Sequence, residues 1–312
     1  MCIRDRVVSG LSTVQQAFAG FVNPSVVMIA GFMVVMAALQ KTRLISNVKS
    51  AMVSLVNKGS YRSYGLLLVI VMLGASLAGT GATGYYVLIL SLVSTIPYSK
   101  KLPTSKLMMP LGFATNHPLL PINLALLFGV TATVLETAGF HQEISMGRFA
   151  LVNLIMSAAF LAWSLIAYRF LPDHPIADAS EDALAGTGFT AMVGDAVAGV
   201  LGSGVSPFVF IVAFALLTST CATFTGSNMG SVYIFAPIAI AACTSLGLNP
   251  TAAAIAVVIS GWNGGYMPID GMPAMILGMG KYKLPEFWVF SVPMYLIRIL
   301  ALCAGAVFIF PM

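Results

Sequence analysis

The sequence predicts an all-α integral membrane protein, and two observations carry this prediction. Of the 312 residues, 59% are hydrophobic and only 8% are charged, whereas a soluble domain carries about 25% charged residues. Several stretches, such as residues 24–39 and 149–168, run almost without charge for close to the length that a helix needs to cross a bilayer. Segments that alternate polar and apolar residues, which would indicate a membrane β-barrel, do not recur along the sequence.

The charge pattern narrows the class of protein further. The formal net charge is +5, but the basic residues stand in short loops between apolar segments, where they orient helices in a membrane. We therefore expect a lipid bilayer as partner and no nucleic acid. The sequence shows no phosphate loop, metal cluster or paired carboxylates, so we expect no enzyme and no cofactor beyond a coupling ion. The four cysteines lack metal-ligand spacing and are predicted to be small packing residues.

Short motifs recur in the same order in the two halves of the chain. The pair TG at 80–81 recurs at 225–226, and the triplet PIN at 121–123 recurs as PID at 268–270. A fixed offset between similar motifs indicates an internal repeat. The predicted organisation is an N-terminal segment at 1–23, expected to be truncated, a first transporter repeat at 24–172, a polar connector at 173–182 and a second repeat at 183–312.

Each repeat is predicted to contain four parts in the same order. An amphipathic helix along the membrane surface precedes an apolar hairpin with a tip rich in Gly, Thr and Ser. A helix broken by Pro and Gly follows, and a full spanning helix closes the repeat. Because unpaired backbone groups are costly in lipid, we expect re-entrant hairpins whose tips form a transport site with the broken helices. The predicted parts are residues 44–58, 64–96, 105–135 and 149–170, and then residues 189–202, 207–242, 250–280 and 287–310.

The flanking charges predict that the two repeats are inverted relative to each other. Basic residues without acids flank the first hairpin, and acidic residues without bases precede the second. The count of spans disagrees, because two crossings between the hairpins would return the chain to its starting side. Either the chain is internally shortened and the second repeat lacks the span that residues 24–39 form in the first, or residues 182–202 cross the membrane. We favour the shortened chain, an incomplete inverted-repeat transporter.

Three segments resemble one family of transporters. They are SKLMMPL at 105–111, SNM at 227–229 with Pro237 after it, and PIDGMP at 268–273 followed by GKY at 280–282. These segments resemble the divalent anion:sodium symporters of the ion transporter superfamily, from about Gly20 to the C terminus. The resemblance implies an elevator-type carrier, usually a homodimer, that moves a dicarboxylate, citrate or sulfate with sodium. Family members are longer, with further helices before and between the repeats.

The sequence departs from the family pattern in three places. The first signature falls on ATG at 82–84 and keeps one hydroxyl, Met229 replaces the final Thr of the second, and the loop TNHPLLP at 115–121 lacks the family's Gly-Thr composition. The substrate therefore stays open within small di- and tricarboxylates and sulfate-like anions. A proton-coupled permease or cation/proton exchanger of the same superfamily and a shortened, inactive protein are the alternatives. We expect a multi-pass protein of a bacterial inner membrane.

The predicted ligands lie at the hairpin tips and in the broken helices. Backbone N–H groups and small polar side chains at a tip suit a carboxylate, although small residues there also pack helices together. Asp270 is the most informative charge, since an acid inside a membrane segment is costly. It would coordinate the cation or take up a proton, unless it only caps a half-helix. The predicted substrate ligands are Thr80, Thr83, Thr225, Ser227 and Asn228, and the predicted cation ligands are Asn116, Asn123, Asn263 and Asp270.

Two further polar residues stand in or near the predicted membrane segments. His117, next to Asn116, is either an anion ligand or a packing residue. Arg298 is the one charge in the last predicted span. We expect it to reach the membrane surface or to pair across helices, and we do not assign it to the substrate.

Overall fold

The computed structural model describes residues 60–79, 83–94, 102–140, 143–174, 206–269 and 271–312, together with Ser50, Ser54 and Leu55. All regular structure within these residues is helical, which confirms the prediction of an all-α protein. The helices with defined ends are α1 (Tyr61–Ala78), α2 (Thr83–Ser94), α3 (Thr104–Ala114), α4 (Ala125–Thr137), α5 (Met146–Ala167), α6 (Pro207–Thr225), α7 (Asn228–Ser245), α8 (Thr251–Ser260), α9 (Gly271–Gly280) and α10 (Leu284–Ile309).

The helices follow one order in both halves of the chain. A pair of helices, α1–α2 or α6–α7, is followed by two short helices, α3 and α4 or α8 and α9, and then by one long helix, α5 or α10. The first break is defined as residues 115–124, between α3 and α4, and contains a short 3-10 helix, Pro121–Asn123. The second break is defined as residues 261–270, between α8 and α9. This order agrees with a duplicated unit, while the repeat boundaries at 24–172 and 183–312 stay predictions.

Each half contributes one short helix to the core of the other half. α4 packs against α7 and α8, α9 packs against α2 and α3, and α5 packs along α10. The buried apolar side chains accordingly form two clusters. One joins α4 to α6, α7 and α8, and the other joins α9 to α1, α2 and α3. A twofold relation between the halves would produce this reciprocal exchange, and the exchange brings the two breaks together.

Glycine and serine set the ends of the paired helices. α1 stops at Gly79, whose φ of +97° is open to glycine at little cost. α6 stops at Gly226 in the left-handed region, with φ +65°. Ser227 follows at once as the N-cap of α7, and its hydroxyl accepts a hydrogen bond of 3.2 Å from the N–H of Gly230. The tip of α6–α7 is therefore only two residues long.

The described part of the chain contains five helices that are long and apolar enough to cross a membrane, namely α1, α5, α6, α7 and α10. α3, α4, α8 and α9 have between 10 and 13 residues, or about 15–20 Å of helix. None of these four would cross a hydrocarbon core of about 30 Å alone, as expected for the halves of broken helices. Because α6 and α7 are as long as spans, the re-entrant course of their hairpin stays a prediction.

Several predicted features lie outside the described residues. These are the segment 1–23, the span 24–39, most of the surface helix 44–58, the surface helix 189–202, most of the connector 173–182, and the residues Thr80 and Asp270. The side chains of Thr83 and Asn123 also lie outside. The relative orientation of the halves in the membrane and the missing span therefore stay predictions.

Candidate functional site: a cavity between the two breaks

A cavity of about 220 Å³ lies where the tip of α6–α7 meets both breaks. Its remaining walls come from α2, the first turn of α9 and one side chain of α10. The predicted hairpin tip and the predicted broken helices therefore share one site. The lining residues are Tyr86, Thr115, Asn116, Ala222, Thr223, Gly226, Asn228, Gly261, Trp262, Gly264, Gly265, Gly271, Met272, Pro273 and Arg298.

Helix ends of both polarities meet at this cavity. α3 and α8 end beside it, just before Thr115 and Gly261, whereas α7 and α9 begin beside it, at Asn228 and Gly271. The N-terminal end of a helix attracts anions and the C-terminal end attracts cations. Interrupted helices arranged in this way suit a site that takes an anion together with a cation.

Polar side chains of the neighbouring long helices fix the first break. Ser76 of α1 accepts hydrogen bonds from the N–H groups of Leu119 and Leu120, each 2.9 Å long. The carbonyl of Pro118 accepts hydrogen bonds from Asn153 Nδ2 at 3.2 Å and from Ser157 Oγ at 2.9 Å, both on α5. The backbone groups of this irregular segment are thus satisfied within the protein, as a membrane environment requires.

Glycines let the second break approach its neighbours closely. A Cβ atom at Gly264 would overlap the hydroxyl of Thr223 on α6. Gly265 has φ +99°, and a Cβ there would lie 2.7 Å from the ring of Phe113 on α3. The backbone of the second break therefore touches both the hairpin helix α6 and the first broken helix.

Asn116 links the two breaks directly. Its Nδ2 donates a hydrogen bond of 2.6 Å to the carbonyl of Trp262. The preceding residue, Thr115, turns its hydroxyl back to the carbonyl of Gly112, also at 2.6 Å, where α3 ends. The first predicted cation ligand is thus tied to the backbone of the opposite break.

Arg298 of α10 makes the most extensive polar contacts at the site. Its side chain is only 1% exposed. Nη1 donates to Nε2 of His117 at 2.9 Å and to Oδ1 of Asn263 at 3.4 Å. Nη2 donates to the carbonyls of Asn263 at 3.0 Å and Gly264 at 2.6 Å. One side chain from a long helix therefore connects the first break to the second.

His117 accepts from Arg298 as a neutral ring. A guanidinium only donates, so Nε2 is the acceptor, and Nδ1 carries the proton because it lies 2.7 Å from the carbonyl of Phe113. The imidazole also stacks on Phe160 of α5, with 4.0 Å between the ring centroids. The partners of Arg298 are thus all uncharged, and among the described residues no carboxylate pairs with it.

The structure places the described candidate ligands in three ways. Asn116 and Asn228 line the cavity. Asn263 is buried and accepts from Arg298. Thr225 and Ser227 are exposed at the tip and use their hydroxyls for local bonds to backbone groups, and neither lines the cavity.

The sequence prediction did not include Arg298 among the ligands of this site, although its charge within the last predicted span was a signal for a functional residue. A charged residue within a long apolar segment is costly and is therefore a candidate functional residue by default. Of the two roles expected for it, the structure shows bonding across helices, because the buried side chain donates to His117 of the first break and to Asn263 of the second. Tyr86 also lines the cavity, and no motif in the sequence marked it.

These features define a class of protein. The chain is a multi-pass helical membrane protein, and its cavity lies between interrupted helices, as transport sites do. The model of the citrate transporter family (CitMHS) matches residues 3–180, which is more than half of the chain. The chain belongs to this citrate transporter family.

The family match covers the first half of the chain and most of the connector. It fits an anion permease of the ion transporter superfamily, and the narrower resemblance to the divalent anion:sodium symporters stays a prediction. The chain has no significant match among curated proteins or among solved structures. The arrangement of α6 to α10 at the cavity is therefore known from the structure and not from a related protein.

Proposed function

We propose that this protein is a secondary active carrier for a small di- or tricarboxylate such as citrate. The observation that carries the proposal is the buried guanidinium of Arg298 at the cavity, whose charge no described carboxylate neutralises. A buried charge without an opposite charge is costly, and a bound anion would offset that cost. Membership in the citrate transporter family supports the same class of substrate.

Further groups at the cavity suit a carboxylate. The first turns of α7 and α9 present helix N-termini there, at Asn228 and at Gly271–Pro273. The side-chain amide of Asn228 makes no hydrogen bond to the described residues and is thus available to a ligand. A carboxylate at these positions would lie among partial positive charges and beside Arg298.

Sodium is the coupling ion that we propose, with a proton as the alternative. Coupling to a cation fits the C-terminal end of α3 beside the cavity, because such an end attracts cations. A proton-coupled permease would instead use a titrating group, for which Asp270 is the candidate from the sequence. A homodimer in a bacterial inner membrane stays an expectation from the resemblance and the composition.

Uptake into proteoliposomes tests the function. Purified protein would be reconstituted, and the uptake of labelled citrate, succinate and sulfate measured with and without a sodium gradient and with and without a pH gradient. We expect citrate uptake that a sodium gradient drives. Uptake driven only by the pH gradient would favour the proton-coupled alternative, and no flux of any anion under any gradient would contradict the proposal and favour an inactive protein.

A further inference from the structure

The C-terminal end of α8 and the first break together carry a cluster of acceptors that the guanidinium of Arg298 fills. The cluster consists of Oδ1 and the carbonyl of Asn263, the carbonyl of Gly264 and Nε2 of His117, all within 3.4 Å of Nη1 or Nη2. Amide and carbonyl oxygens at a helix C-terminus are typical ligands of a small cation. We propose that Arg298 is a tethered cation in this cluster, so that the wild-type protein binds no free coupling ion at these oxygens.

The hydrogen bonds of Arg298 hold the guanidinium in place without neutralising its positive charge. A guanidinium has five N–H groups, and the two Nη atoms direct theirs to neutral acceptors only. Nε is buried and has no partner among the described residues. The charge is therefore positioned by the cluster and remains uncompensated beside the cavity. This is what a bound coupling ion would otherwise supply next to an anionic substrate.

The first break differs from the second in this respect. Phe149 precedes Phe287 by 138 residues in the sequence. The same offset makes Phe160 of α5 the repeat equivalent of Arg298 of α10. The ring of Phe160 lies against His117 of the first break. The same position along the long helix thus supplies an aromatic ring at one break and a cation at the other. A mobile ion would have to bind elsewhere, for which Asn116, Asn123 and Asp270 are the predicted ligands.

Removing the guanidinium tests the inference without requiring transport. Thermal unfolding midpoints would be measured in detergent for the wild type and Arg298→Ala, in millimolar guanidinium chloride and in choline chloride of equal strength. Guanidinium should raise the midpoint of Arg298→Ala by about 3 °C through binding at the vacated oxygens, and should leave the wild type unchanged. The matched control is Arg148→Ala, since Arg148 donates to the carbonyl of Ile309 and lies over the ring of Phe310, outside the cavity lining. Equal responses of all three proteins would overturn the inference.

A second variant keeps the test decisive if Arg298→Ala does not fold. Asn263→Asp places a carboxylate among the cluster oxygens of the otherwise intact protein. If the guanidinium is held there, it pairs with the new charge and offsets the loss of the hydrogen bond from Asn263 Nδ2 to the carbonyl of Ile259, so the midpoint stays within about 5 °C of the wild type. A midpoint lower by about 5 °C or more, as expected for an unpaired buried carboxylate, would contradict the inference.

The role of the tethered charge beside a substrate rests on the proposed function, and uptake separates the two. If Asn263→Asp keeps its stability and loses citrate uptake, both the tethered cation and the charge-based anion site are supported. If it keeps its stability and transports citrate like the wild type, the tethered cation stands and the proposed anion site fails.

Discussion

Asn228 and its neighbours at the tip differ in what their side chains do. Thr225 donates to the carbonyl of Cys221 at 2.7 Å, and Ser227 caps α7, so both hydroxyls serve the turn itself. Asn228 follows them and lines the cavity. Its side-chain amide makes no hydrogen bond to the described residues. The sequence predicted all three as substrate ligands, and the geometry favours Asn228.

We expect Asn228→Ala to raise the KM for citrate uptake about 10- to 150-fold, the cost of one lost hydrogen bond to a charged ligand. The matched control is Asn249→Ala, because Oδ1 of Asn249 accepts from the N–H of Thr251 at the start of α8, outside the cavity lining. That variant should lower the unfolding midpoint and leave KM unchanged. An unchanged KM for Asn228→Ala would remove Asn228 from the site.

Asp270 gives a second prediction at the residue scale. It lies outside the described residues, and Gly271, the next residue in the sequence, lines the cavity. Asp270→Asn should abolish the sodium stimulation of uptake or shift its pH profile, because a neutral amide neither titrates nor attracts a cation as a carboxylate does. Glu286→Gln is the control, since Glu286 caps α10 through the N–H of Lys283 at 2.7 Å. Sodium and pH dependences of uptake that match the wild type in both variants would contradict the proposed role of Asp270.

At the scale of elements, the second break packs closely against two neighbouring helices. Gly264 touches α6 through Thr223, and Gly265 touches α3 through Phe113. These contacts place the carbonyls of the break where Asn116 and Arg298 reach them. The first break is held differently, by polar side chains of α1 and α5, so the two breaks share a position in the fold and not a mode of attachment.

Gly264→Ala should lower stability by about 1–3 kcal/mol, because the added methyl overlaps the hydroxyl of Thr223 in a packed site. Citrate uptake should fall with it, since the carbonyl of Gly264 positions Arg298. Gly278→Ala in α9 is the matched control, since its Cβ would meet nothing within 4 Å and alanine favours a helix by about 1 kcal/mol. Unfolding midpoints measure both effects, and equal midpoints for the two variants would contradict the close approach.

Helices were predictable from the sequence, and their partners were not. Long apolar runs set α5 and α10, and Pro and Gly within apolar runs marked both breaks, because these residues interrupt backbone hydrogen bonding wherever they stand. The contact of Arg298 with His117 joins residues 181 positions apart. Such a contact follows from the packing of α5 along α10, which no local pattern encodes.

At the scale of the whole molecule, the exchange of α4 and α9 between the halves creates the site. α4 belongs in sequence to the first half and packs with α7 and α8 of the second, and α9 does the converse. The breaks that precede these two helices must then meet. The motif repeat in the sequence suggested two similar units, and the exchange explains why a single cavity draws on both.

The charge balance of that cavity is the central claim. Uncharged partners position the guanidinium of Arg298, and no described carboxylate neutralises it. An anion such as citrate would therefore find a positive charge already in place, together with the N-termini of α7 and α9. The burial of the guanidinium strengthens this attraction, because a protein interior screens charges less than water does.

Isothermal titration of citrate into the purified protein, in sodium-containing buffer, tests this claim most directly. The wild type and Arg148→Met should bind citrate with equal affinity. Arg298→Met, which keeps an unbranched apolar side chain in place of the arginine stem and removes the charge, should weaken binding at least ~30-fold, or about 2 kcal/mol. Citrate binding to a folded Arg298→Met protein with the affinity of the wild type would contradict the account.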